Sequence, residues 1–78
     1  MRLVEHKSYF FALHLNYEEC MAYYKGHYSQ VQVVSDCGRT IRFDANKLRS
    51  FISSIGIKGR FRLILALDNK FISLEKVN

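Results

Sequence analysis

At 78 residues the chain has room for one small domain, which excludes multidomain enzymes, long coiled coils and solenoid arrays. Hydrophobic residues at 49% and charged residues at 24% are an ordinary globular mix, so disorder throughout is not expected. A net charge of +5 and a pI near 9.5 favour anionic partners such as nucleic acid, acidic protein surfaces or lipid headgroups. The charge is uneven: residues 39–62 carry seven cations against Asp44 alone, a net +6, and the remainder is close to neutral.

Tyr9–Leu15 reads as a strand, with Tyr9, Phe11, Leu13 and Leu15 on one face at period two. Phe10, Ala12 and His14 take the other face, which is partly apolar as well. Asn16 then suits a helix N-cap, with Glu19 as its capping-box partner. Cys20, Tyr23 and Tyr24 at i, i+3, i+4 predict an inward stripe, and Gly26 is placed to end the helix. Gln30–Val34 alternates and is β-branched, Ser35–Gly38 is a turn, and Arg39–Phe43 is the second arm of a hairpin.

Asp44 is a second N-cap candidate, before a short helix that places Leu48, Phe51 and Ile52 on one face. Ser53–Gly59 reads as a loop whose two glycines mark a bend or bulge. Arg60–Leu67 is the clearest strand, with Phe61, Leu63, Leu65 and Leu67 inward and Arg60 and Arg62 outward. Asp68-Asn69 is a tight turn, though its second place lacks the usual Gly. Lys70–Lys76 returns as the last strand. The order is β-α-β-β-α-β-β. The expected fold is α+β, one domain over residues 1–78 with its ordered core at about 5–77. It has a five-stranded antiparallel bent sheet, or a small barrel, with two short helices.

Cys20 and Cys37 form no C-x-x-C pair and no zinc framework. The first residues lack the apolar run and cleavage site of a signal peptide, and no apolar run approaches the roughly 18 residues of a membrane span. The expectation is a cytoplasmic protein with two free thiols.

Five stretches taken together resemble one family. They are Tyr23-Tyr-Lys-Gly26; Gly38-Arg-Thr-Ile-Arg-Phe43; Phe43-x-Ala45-x-x-Leu48-Arg49-x-Phe51; Gly56-Ile-x-Gly59-x-Phe61; and Lys70-Phe71-x-x-Leu74. The family comprises short uncharacterised bacterial proteins known only as a domain of unknown function. The likeness runs from the first strand to the last. It implies a small soluble bacterial protein and supplies no activity, ligand or site residue. Family members commonly carry Pro at the positions of Asp44 and Ser50. This chain has neither, and Asp44 is expected to start the helix by capping instead. Ser53-Ser-Ile-Gly56 is similar to part of the cyclic-dinucleotide motif of PilZ-type barrels. Phe51 stands where that motif needs Asp or Asn, no Arg-x-x-x-Arg precedes it, and a bend accounts for the glycine.

No spacing among His6, His14, His27, Ser8, Cys20 and Cys37 sets a base beside a nucleophile or builds a metal site. A non-enzymatic role is therefore expected, with no metal and no cofactor. The basic segment carries the functional signal. Arg42, Arg60 and Arg62 are expected to form one outward patch, with Arg39, Arg49 and Lys58 at its margin, contacting a polyanion and nucleic acid first. Lys47 lies in the same segment. Tyr9, Phe10, Tyr24, Tyr28 and Phe71 are the aromatic residues available to stack on bases. The alternative is a protein-interaction adaptor, or a homodimer, acting through an apolar sheet face.

Overall fold

Ten residues of alternating exposure make β1, His6–Leu15. It pairs antiparallel along its whole length with β4, Ile57–Ala66, from His6 opposite Ala66 to Leu15 opposite Ile57. The last strand β5, Phe71–Lys76, pairs with the other edge of β4, giving a three-stranded sheet with β4 at its centre. The computed structural model describes residues 5–26 and 28–77. The remaining strands, β2 (Gln30–Val34) and β3 (Thr40–Asp44), form a separate two-stranded hairpin.

The five strands thus form two antiparallel sheets, not the single bent sheet expected, and they do not close into a barrel. Among the described residues, one backbone bond ties the hairpin to the larger sheet, from Asp36 N–H to Phe10 O at 2.8 Å. The reason is apolar burial. The hairpin turns Val31, Val33, Ile41 and Phe43 onto the inner face of the larger sheet, where they join Phe11, Phe61, Leu63 and Leu65 in one core. Placed edge to edge with β1, that face would stay wet. The Phe11 ring lies 5.8 Å from Phe61 and 6.0 Å from Phe43, and Phe51 meets Phe61 edge-on at 5.2 Å. Each such ring contributes about 1.5–3 kcal/mol by leaving water.

Helix α1, Tyr17–Tyr24, starts as predicted. The Asn16 side chain accepts from Glu19 N–H at 2.8 Å, and the Glu19 carboxylate accepts from Asn16 N–H at 2.9 Å. Cys20 is buried and Tyr23 half-buried, but Tyr24 is 52% exposed and so not part of an inward stripe. An eight-residue helix packed on one side has room for a single buried row.

The second helix, Ala45–Phe51, is a 3-10 helix. Its inward residues Ala45, Leu48 and Phe51 recur every third position, which matches three residues per turn. Asp44 precedes it but makes no side-chain capping bond, so the capping role expected of it is not filled.

The loop before β4 is shorter than predicted, because β4 begins at Ile57 and runs through Gly59. Ser53 and Gly56 close a tight turn with bonds of 2.9 and 3.0 Å in both directions. Gly56 has φ +105°, and a Cβ there would meet Leu15 O at 2.1 Å. Only glycine lets this turn press against the β1–α1 junction. At the other end of β4 the turn runs through Asn69 at φ +73°, where a short polar residue takes the left-handed place usually given to Gly. Ile72 is then left unpaired at a bulge, since Leu65 pairs with Phe71 and Ile64 with Ser73.

Candidate polyanion-binding surface

Because side chains alternate across a strand, the sheet that buries Phe11, Phe61 and Leu63 must turn their neighbours outward. On β1 these are His6, Ser8, Phe10, Ala12 and His14, all exposed. On β4 they are Lys58, Arg60, Arg62, Ile64 and Ala66. Phe10 stands opposite Arg62, Ala12 opposite Arg60 and His14 opposite Lys58. Phe10 is 42% exposed, so this face is not roofed over it.

Two acids reach into the basic rows. Glu75 lies opposite Arg62 on β5 and accepts from its Nε at 2.9 Å and from its Nη2. Asp36, in the hairpin turn, accepts from Arg60. Since Asp36 also bonds the outer edge of β1, Arg60 must cross β1 to meet it, and its register partner is the small Ala12. Both ion pairs are well exposed to solvent.

The structure separates the residues that the sequence groups. Arg60, Arg62 and Lys58 share the outer face of the three-stranded sheet. Arg42 projects from the outer face of the hairpin, where its Nε donates to Gln32 across the ladder at 2.9 Å. The core lies between those two faces, so Arg42 does not join Arg60 and Arg62 in one patch. Arg39 stands at the tip of the hairpin. Arg49 belongs to the 3-10 helix and lies over the Tyr24 ring at 4.8 Å. Lys47 similarly covers Phe71 at 4.7 Å.

Of the aromatic candidates only Phe10 lies on the face of Arg60 and Arg62. Tyr9 and Phe71 pack against the core, Tyr24 is held by Arg49, and Tyr28 meets Tyr23 at 5.4 Å. Reading along the chain missed Asp36 and Glu75, which lie 24 and 13 positions from their arginines. The signal for Glu75 was a cation and an acid on the outward faces of adjacent hairpin strands. Nothing local marked Asp36.

Three of the stretches that carry the family likeness meet elsewhere, at a small cavity between α1 and the 3-10 helix. Tyr23, Tyr24 and Gly26 line it from one stretch, Ala45, Leu48 and Arg49 from the second, and Ile57 from the third. They act there mainly as packing around buried Cys20 and Leu48. A model of the family described as "Protein of unknown function (DUF2835)" matches residues 7–77. The chain belongs to the DUF2835 family. No curated protein and no solved structure matches it.

The two thiols are unpaired and differ in setting. Burial pushes the Cys20 thiol up. Cys37 is exposed, and its pKa is lowered by hydrogen bonds from the Ser35 hydroxyl, 3.1 Å away, and from Arg39 N–H. His27 lies outside the described residues. Among the described residues no helix is long and apolar enough to cross a membrane.

Proposed function

We propose that this member of the family is a non-enzymatic binding module of the bacterial cytoplasm, whose outer sheet face takes single-stranded nucleic acid. One observation carries the reading: an exposed Phe10 stands in register with Arg62 on an uncovered sheet face, with Arg60 and Lys58 in the adjoining rows. A ring offers a base a stacking surface without regard to its identity, and the cations meet the flanking phosphates. The acid partners do not block this. Exposed ion pairs are worth about 0–1 kcal/mol, so phosphates can replace Asp36 and Glu75 at small cost. The two free thiols suit a reducing compartment.

The test is an amide-shift titration with short mixed single-stranded RNA at physiological salt. Shifts are expected at Phe10, Ala12 and Lys58–Arg62. Three phosphate contacts give a log–log salt slope of about −2. Arg60→Glu combined with Arg62→Glu abolishes binding and leaves the spectrum folded. Unchanged affinity in that folded double variant would sink the reading.

A protein adaptor or homodimer is the second reading, favoured by exposed Ile72 and Leu67 at one end of this sheet and by the edge of β5, which pairs with no further strand among the described residues. Its mark is association that persists as salt rises.

A further inference from the structure

The bonds at both ends of the hairpin set its phase: Ser35 N–H to Arg39 O at 2.8 Å and Ala45 N–H to Ser29 O at 3.0 Å. In an antiparallel pair, residues alternate between exchanging bonds with the partner and turning both groups away. Val33 with Ile41 and Val31 with Phe43 are therefore the bonded pairs. Thr40 and Arg42 turn their N–H and C=O groups to the edge of β3 that pairs with no other strand among the described residues.

That edge borders an open cleft of about 450 Å³. Arg39, Thr40, Ile41 and Arg42 form one wall, and Tyr9, Leu65 and Asn69 form the other. Every ionic side chain lining it is cationic. Arg42 spends its Nε on Gln32, which fixes the guanidinium and leaves its two terminal nitrogens without a protein partner among the described residues. A third cation reaches the rim, since the Lys7 ammonium donates to Asn69 Oδ1. The wall opposite the arginines holds the half-buried Tyr9 ring and the polar Asn69, with the buried Leu65 behind them. Cations and edge N–H groups on one side, and a ring and a leucine on the other, match a ligand with a phosphate at one end and a flat apolar body at the other.

We propose that this cleft binds a small phosphate-bearing molecule of mononucleotide type, with its phosphate on Arg39, Arg42 and the Thr40 and Arg42 N–H groups and its ring against Tyr9 and Leu65. The site is separate from the outer sheet face and does not depend on it. Its volume of about 450 Å³ suits a single nucleotide better than a polymer.

The experiment titrates the full chain with adenosine monophosphate, adenosine and inorganic phosphate, read by amide shifts. Adenosine monophosphate shifts Tyr9, Thr40, Arg42 and Asn69, and adenosine binds at least about tenfold more weakly. Arg39→Gln with Arg42→Gln, checked as folded by its spectrum, weakens the monophosphate by about tenfold or more. Arg60→Glu with Arg62→Glu leaves these shifts in place, so failure of the outer face and failure of the cleft are told apart. The proposal is overturned by an absence of shifts at low millimolar monophosphate, by shifts confined to the outer face, or by full affinity in the Arg39/Arg42 variant. Inorganic phosphate binding as tightly as the monophosphate overturns the nucleotide assignment and leaves a simple anion site.

Discussion

Among the described residues Arg60 and Arg62 each have an acid, while Arg39 and Arg42 have none, although all four come from one basic stretch of chain. The difference follows from the strands that carry them. β4 is the central strand, with neighbours on both edges, and those neighbours bring Glu75 directly and Asp36 through the hairpin turn. Among the described residues β3 has a neighbour on one edge only, and that neighbour offers Arg42 a neutral Gln32. Position in the sheet, more than charge along the chain, decides which arginines are compensated. The central strand holds its cations in place. The edge strand gives Arg42 only a neutral partner, and Arg39 at the hairpin tip has no acid among the described residues.

The largest expected effect separates the two strands by what lies behind them. Phe61 is fully buried between Arg60 and Arg62, so Phe61→Ala costs about 3–5 kcal/mol, enough to leave little folded protein. Ile41 lies beside Arg42 in the thinner hairpin, and Ile41→Val costs about 1 kcal/mol. Urea unfolding measures both, and equal losses would break the contrast. Next comes Gly56→Ala, which forces a Cβ onto Leu15 O at the start of β4 and lowers stability by more than about 2 kcal/mol in the same assay.

A smaller effect sharpens the electrostatic half of the comparison. Glu75→Gln changes stability by no more than about 1 kcal/mol. It frees Arg62 and tightens single-stranded RNA about two- to fivefold on the outer face. The cleft affinity for adenosine monophosphate does not change. If RNA affinity falls instead, the acid orients the arginine and does not compete with the phosphate.

The smallest effect concerns the thiols. Because the Cys37 pKa is lowered, its thiolate fraction near neutral pH exceeds that of an ordinary thiol and declines as pH falls through the lowered pKa. Cys20 has a raised pKa and is buried. Iodoacetamide should therefore label Cys37 first, and Cys20 only at higher pH or on unfolding. Mass spectrometry of the labelled peptides decides the order.

Local features were the legible ones. The alternation in β1, β2 and β3 and the Asn16–Glu19 capping box depend on residues a few positions apart, and both are present as read. The second helix illustrates the limit. Leu48 and Phe51 are compatible with either helical period, so the tighter one, in which Phe51 meets Phe61 edge-on, could not be read from their spacing. The arrangement of the sheets was not legible, because edge pairing and face packing satisfy the same alternating pattern. For the same reason the arginines could be assigned to outer faces but not to the same face. Which acid reaches which arginine is set by contacts distant in sequence.

The full-length pairing of β1 with β4 has a consequence for how the chain acquires its structure. Its partners are separated by sixty residues at the His6–Ala66 end, so the largest interface joins distant parts of the chain. Such topology carries a high loop-closure cost and slows folding relative to helical domains of equal size. During synthesis, β1 and the hairpin leave the ribosome before β4 emerges to cover Phe11 and Val33. Until then the nascent chain presents apolar surface and unsatisfied strand edges, the condition in which chaperones bind and aggregation begins.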